Sequence, residues 1–189
     1  MNIVILAAGQ GTRMRSDVPK VLHRIGGKPL LQHVYETAAG LAPQTLAIVY
    51  GHGGRQVRNR FPDWPVSWVE QAQQLGTGHA VQQALPLLRE GMVLILYGDV
   101  PLLRKETLQR LLKSAGGSKV ALLTVKLEDP TGYGRIVRDS RGSIQRIVEE
   151  KDASPVEKAI HEVNTGIMAV PVSWLRSWLD RLDNANAQG

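Results

Sequence analysis

Three observations predict an α/β fold with a mostly parallel, mixed sheet flanked by helices. Strand-length apolar runs alternate with helix-length segments from the amino terminus to about residue 126. The runs Ile3-Val4-Ile5-Leu6 and Val93-Leu94-Ile95-Leu96 are apolar at every position, as strands covered on both faces are. After Asp129 the rhythm changes: two short β-like runs joined by Ser140-Arg141-Gly142 read as a hairpin inserted before a last strand and helix.

Taken in order, residues 2–8 form a strand and 29–40 a helix, with Pro29 suited to a first turn. Residues 45–50 give a strand, 54–60 a short helix and 66–70 another strand. Residues 77–89 are helical with Thr77 as N-cap, Met92 to Tyr97 a buried strand, 104–115 a helix and 119–126 a strand. The hairpin pairs Arg135 to Asp139 with Ser143 to Glu149. A short helix at 155–161, a strand at 163–170 and a helix at 173–183 complete the pattern, with no internal repeat or linker.

A length of 189 residues suits one well-buried domain and falls short of two of ordinary size. The chain has no cysteine, which excludes disulfides and thiolate metal sites. No apolar stretch is long enough to span a bilayer and no basic leader precedes the first strand, so a cytoplasmic location without membrane contact is expected. The net charge of +6 is unevenly spread: residues 1–60 hold 8 Lys/Arg against 2 Asp/Glu, leaving 15 against 15 for the rest. A basic surface fits nucleic acid, but aromatic residues are few and the cations gather round a glycine turn, which favours a small polyphosphate instead. Arg55, Arg58 and Arg60 read as the solvated face of a short helix.

That turn is the most informative segment. The first strand stops at Ala7-Ala8-Gly9-Gln10-Gly11, then come Arg13 and, after Pro19, Lys20. Glycines let backbone N–H groups approach a polyanion, and Arg13 and Lys20 supply full charge where phosphate oxygens would lie. No third glycine stands at the spacing of a dinucleotide turn, and no acidic ribose-binding residue follows at the expected distance. A mononucleotide triphosphate therefore ranks above a nicotinamide cofactor.

In an open parallel sheet, ligands bind at the carboxyl ends of the strands where strand order reverses. Asp99 follows the strand 92–97 directly. One carboxylate, with substrate phosphates and water, is a common Mg²⁺ site; the plainer reading is a turn residue after Gly98. Gln71 and Gly76 offer an acceptor and donors that suit a pyrimidine edge, or ordinary loop bonds. Gly132 to Arg135 reads equally as a turn, Glu149 to Lys151 as a solvated strand end, and Asn164 to Gly166 as the start of a strand. The five histidines show no metal-ligand spacing. Trp174 and Trp178, one helical turn apart, read as packing residues.

In this order along the chain, Leu6 to Met14, Pro19 to His23, Gly27-Lys28-Pro29, Gln71 with Leu75 to Ala80, and Tyr97 to Leu102 resemble the sugar-nucleotide pyrophosphorylase superfamily. Gly132 to Ile136, Ile147 to Glu149, Lys151 to Ala153 and Glu162 to Ile167 extend the likeness. The closer resemblance is to the uridylyltransferase part of the bacterial bifunctional N-acetylglucosamine-1-phosphate uridylyltransferase/glucosamine-1-phosphate acetyltransferase family.

The resemblance implies a Rossmann-like nucleotidyltransferase fold with a β-hairpin sugar-binding insertion. It also implies Mg²⁺-dependent conversion of UTP and N-acetylglucosamine 1-phosphate to UDP-N-acetylglucosamine, a precursor of peptidoglycan and lipopolysaccharide, and pyrophosphate. It assigns Leu6, Ala8 and Gly9 to the nucleotide, Gln71, Gly76 and Thr77 to uracil and its surroundings, and Arg13 and Lys20 to phosphates. Tyr97, Gly98 and Asp99 fall at the substrate with Asp99 on Mg²⁺, while Gly134, Glu149 and Asn164 hold the sugar and its N-acetyl group.

The family continues past residue 189 with a second metal ligand and a trimer-forming acetyltransferase β-helix. By that comparison the chain reads as residues 1–189 of a nucleotidyltransferase domain incomplete at its carboxyl end, possessing no trimerising part of its own. Two alternatives stay open: a nucleotidyltransferase for glucose 1-phosphate, a polyol phosphate or the molybdenum cofactor, and a nucleotide-binding fragment without catalysis.

Overall fold

The computed structural model describes residues 1–9, 11, 14–51 and 54–181. Its first strands are β1 (Asn2–Ala7), β2 (Arg24–Ile25) and β3 (Lys28–Pro29), followed by α1 (Leu30–Ala39) and β4 (Thr45–Gly51). Next come α2 (Arg55–Arg60), β5 (Ser67–Gln71), α3 (Gly76–Ala84), β6 (Met92–Tyr97), α4 (Lys105–Ala115) and β7 (Ala121–Lys126). The chain continues through β8 (Arg135–Arg138), β9 (Ile144–Val148), α5 (Pro155–Lys158), β10 (Glu162–Pro171) and α6 (Val172–Leu179). It packs as two compact units: Met1–Ala121 joined by the stretch from Met168 through α6, and Leu122–Ile167.

In the first unit four parallel strands run in the order β5-β4-β1-β6, with Met168 to Pro171 of β10 antiparallel on β6. All six residues of β1 are buried, because the sheet is covered on both faces. Val4 and Leu6 join a cluster with Ala80, Val81 and Ala84 of α3 and with Val172, Leu175 and Leu179 of α6. The intervening Ile3 and Ile5 are likewise fully buried, as the period of two requires when both faces are covered. Three buried residues of α4, Leu108, Leu111 and Ala115, recur at helical spacing, and the helix stops at Gly116 in a left-handed cap.

The second unit is the predicted hairpin with its supports. β8 and β9 pair antiparallel from Arg135↔Val148 to Arg138↔Ile144, with a register shift after Val137. Asp139 builds the turn by accepting the N–H of Arg141 (2.9 Å) and of Ser143 (2.8 Å) on Oδ1. The first part of β10 pairs with the hairpin, Val163 opposite Arg135, and β7 pairs with β10. Ser154 and Glu157 cap α5 reciprocally.

Four expectations need correction. Thr77 is not an N-cap: α3 begins at Gly76 after Leu75, with no side-chain cap, because the positive φ of Gly76 turns the chain one residue earlier. Pro29 stands before α1 rather than in its first turn, since it closes the small ribbon β2-β3. The helix expected at 77–89 ends at Ala84 and tightens into a 3₁₀ turn over Leu85–Leu87, where Pro86 supplies no N–H. Trp174 and Trp178 tilt against each other with centroids 5.8 Å apart and remain 45% and 42% exposed, because α6 buries Val172, Leu175 and Leu179 instead.

Candidate active site

In the first unit, strand order reverses between β1 and β6, each of which starts a crossover in the opposite direction. A cavity of about 260 Å³ opens at the carboxyl ends of β1, β5 and β6. It is lined by Leu6, Ala7, Ala8, Gly9, Lys20, Val21, Gln71, Gln74, Gly76, Thr77, Ala80, Tyr97 and Asp99. Nine of the residues singled out from the sequence thus meet in one place, from segments up to 93 positions apart (Leu6 to Asp99). Arg13 lies outside the described residues.

The floor is backbone and small side chains. A Cβ at Gly9 would meet nothing within 4 Å, so this side of the turn is open to a ligand. Gly11 has φ +59°, a left-handed conformation that glycine adopts without a steric penalty, and a Cβ there would lie 2.8 Å from Cβ of Lys20. Gly11 therefore lets the lysine segment lie close against the turn. Gly98 donates its N–H to the Leu6 carbonyl (2.9 Å), tying the end of β6 to that of β1. A Cβ at Gly98 would press on Leu31 and Val21 at 3.1 and 3.2 Å.

The charges at the mouth are opposed. Lys20 Nζ and Asp99 Oδ2 form an ion pair of 2.5 Å, with the side chains 41% and 27% exposed. Both groups stay accessible enough to exchange this partner for a ligand, and a pair so exposed contributes little stability. Among the described residues, Asp99 is the one acidic side chain in the lining, and no three His, Cys, Asp or Glu side chains cluster as a metal cage. That donor set fits Mg²⁺, a hard cation often bound by one or two carboxylates together with substrate phosphates and water. It does not fit zinc.

The opposite wall is amidic. Gln71, 2% exposed, donates Nε2–H to the Gly76 carbonyl (3.0 Å), and the same nitrogen lies 3.0 Å from Nδ1 of His79. His79 Nε2 lies 3.1 Å from the amide nitrogen of Gln83 one turn on. Gln74 donates Nε2–H to the Ala8 carbonyl (2.7 Å), a strut between the loop after β5 and the glycine turn. Sequence reasoning missed Gln74 and His79. The spacing of Gly76 and His79, one turn along a helix, was a signal for the latter; nothing local signals the Gln74 bond, which spans 66 positions.

In the second unit, Gly134, Glu149 and Asn164 also come together. The Asn164 N–H donates to the Gly134 carbonyl (2.8 Å), and a Cβ at Gly134 would lie 2.9 Å from Oε1 of Glu149. Behind them Arg135 is 1% exposed and pairs through Nη2 with Glu150 Oε2 (2.7 Å), while Nη1 donates to the Tyr133 carbonyl. The guanidinium of Arg135, helped by the Gly132 N–H, holds the Glu150 carboxyl below its usual range. A segment that reads as a simple turn is thus braced by a buried arginine.

The chain matches the MobA-like NTP transferase domain family over residues 3–189. It is 61% identical over 189 residues to the bifunctional protein GlmU of Stutzerimonas stutzeri (strain A1501) and 62% identical over 190 residues to that of Dechloromonas aromatica (strain RCB). Each alignment covers 100% of this chain and 42% of the relative, so the chain spans less than half the length of these proteins. Among solved structures, a UDP-glucose pyrophosphorylase complexed with UDP-glucose superposes with a TM-score of 0.75 at 20% identity, over 96% of this chain and 80% of that one. That likeness establishes the Rossmann-like nucleotidyltransferase fold.

Proposed function

The chain belongs to the MobA-like NTP transferase domain family, and from that premise we propose that it transfers UMP from UTP to N-acetylglucosamine 1-phosphate. The products are UDP-N-acetylglucosamine and pyrophosphate. The observation that carries this reading is the convergence of the open glycine turn, Lys20, Asp99 and the Gln71–Gly76 pair on one cavity at the switch point. The identity of about 60% to bifunctional GlmU proteins supports the choice of nucleotide and acceptor.

In this mechanism the uracil lies against Gln71 and Gly76, with Thr77 beside them, and Leu6, Ala8 and Gly9 line the nucleotide. The triphosphate follows the backbone from Gly9 to Lys20, with Arg13 as a second cation. Tyr97 and Gly98 border the substrate, and Gly134, Glu149 and Asn164 hold the sugar and N-acetyl group of the acceptor. A phosphate monoester loses its second proton near pH ~6, so the attacking oxygen is already ionised at neutral pH and the chain needs no general base. That oxygen forms a bond to the α-phosphorus of UTP as the bond to the β-phosphate breaks, and the electron pair leaves with pyrophosphate. Lys20 and Arg13 act by holding the phosphates in line and offsetting their charge. Asp99 would hold Mg²⁺ at this site, and the ion would supply further charge neutralisation.

Incubating the chain with UTP, N-acetylglucosamine 1-phosphate and Mg²⁺ tests this directly. UDP-N-acetylglucosamine and pyrophosphate should accumulate in equal amounts. Faster turnover with CTP, or with glucose 1-phosphate, would contradict the assignment.

A further inference from the structure

The cavity wall contains a chain of hydrogen-bonding groups whose shortest contact to a carbonyl, that of the buried Gln71 amide, sets the direction of the rest. Gln71 Nε2 faces two atoms, the Gly76 carbonyl oxygen and His79 Nδ1, each at 3.0 Å. A carbonyl oxygen only accepts, so the Gln71 atom beside it must be the NH₂ group. That group has two hydrogens. One goes to Gly76, and the other is directed at His79 Nδ1, which must then be the unprotonated nitrogen of a neutral ring. The ring proton then sits on Nε2, 3.1 Å from the Gln83 amide nitrogen, and Gln83 turns its oxygen to receive it at the expense of its longer contact, 3.4 Å, to the His79 carbonyl. Both N–H groups of Gln71 are thereby committed, and Oε1 is the polar atom it has left for the cavity it lines.

We infer that His79 is a positioning residue for base selection: as the neutral Nε2–H tautomer it locks the Gln71 amide so that a hydrogen-bond acceptor, not a donor, faces the base. This rests on the proposal that Gln71 reads uracil. An acceptor there suits the N3–H donor of a uracil edge. The bare N3 of cytosine, itself an acceptor, would oppose it. Without His79 the amide is held by the Gly76 bond alone, so turning it to present NH₂ to the base costs one hydrogen bond rather than two, which weakens the discrimination. His79 does not touch the reacting atoms, so its effect falls on nucleotide preference rather than on the chemistry.

Two measurements on the whole chain test this. Nitrogen-15 shifts of the His79 ring in the nucleotide-free protein at neutral pH should report Nε2–H; an Nδ1–H tautomer or an imidazolium would overturn the inference. Next, UTP and CTP binding are compared by calorimetry in wild type, His79→Phe and His79→Asn. His79→Phe removes the acceptor and should shrink the UTP-over-CTP preference about tenfold. In His79→Asn, Oδ1 takes the place of Nδ1 and should restore the preference to within about threefold of wild type. UTP binding with an unchanged preference in His79→Phe overturns the role of His79 alone. Absence of binding of either nucleotide to the wild-type chain overturns both this inference and the nucleotide reading beneath it.

Discussion

Asp99 carries most of the electrostatic argument at the scale of single residues. It is the acidic group of the cavity among the described residues, it pairs with Lys20 at 2.5 Å, and it stands two residues past a strand whose four central positions are buried. Asp99→Asn keeps the side-chain shape and removes the charge. Turnover in the Mg²⁺-dependent assay should fall by about 10²-fold or more, since charge stabilisation by a bound metal supplies several kcal/mol; undiminished turnover would remove Asp99 from the metal site. Glu149 makes a different prediction. Its carboxylate lies against Gly134, in the second unit, and its proposed partner is the sugar. Glu149→Ala should raise the KM for N-acetylglucosamine 1-phosphate about tenfold while that for UTP moves little. Equal rises in both constants would take Glu149 out of the sugar pocket.

Elements are held in place here by close approaches that only certain residues permit. Gly51 ends β4 where the Gln74 amide reaches across to the Ala8 carbonyl. A Cβ on Gly51 would lie 2.6 Å from that carbonyl oxygen and collide with the amide nitrogen of Gln74. Gly51→Ala should therefore cost about 1–3 kcal/mol in urea unfolding, the range for overpacking a tight site, and should weaken UTP binding by freeing the loop that carries Gly76. Wild-type stability in that variant would show the strut to be dispensable. The strand and helix sequence of the first unit was legible because burial on both faces writes itself as unbroken apolar runs, as in β1 and β6. Asp99, Gln71 and the glycine turn were legible as candidates because they sit directly at strand ends. The Gln74 strut, the Lys20–Asp99 pair and the buried Arg135 were not, since each depends on partners that the local sequence does not specify. The start of α3 was misplaced for a similar reason: a threonine suggested a side-chain cap, but glycine conformation decided the boundary.

For the molecule as a whole, stability in acid should be set partly in the second unit. Arg138 clasps Glu162 through Nη2 to Oε1 (2.7 Å) and Nε to Oε2 (2.8 Å), and Thr124 donates to Oε1 as well (2.7 Å). The Arg138 guanidinium is the main reason that the Glu162 carboxyl is lowered from 4.5 to about 2. A depressed carboxylate stabilises the fold fully above its unfolded value, and that contribution is lost as pH falls through the folded value. The window therefore lies between pH 4.5 and about 2. Arg138 is 39% exposed, so solvent screening reduces the net worth of the pair to about 1 kcal/mol. Glu162→Gln should lose that amount at pH 7 by urea unfolding, and the gap to wild type should close as the pH is taken from 4.5 towards 2. A gap that persists at the acid end would assign the loss to packing rather than charge.

The pairing of a glycine-turn phosphate path with the amidic wall at the switch point can be tested in one crystal of the chain grown with UTP and Mg²⁺. The account predicts uracil against Gln71 and Gly76, with the phosphates running along Gly9 and Gly11 towards Lys20. A nucleotide seated elsewhere, or lying in this cavity with its base at Lys20 and its phosphates at Gln71, would contradict it.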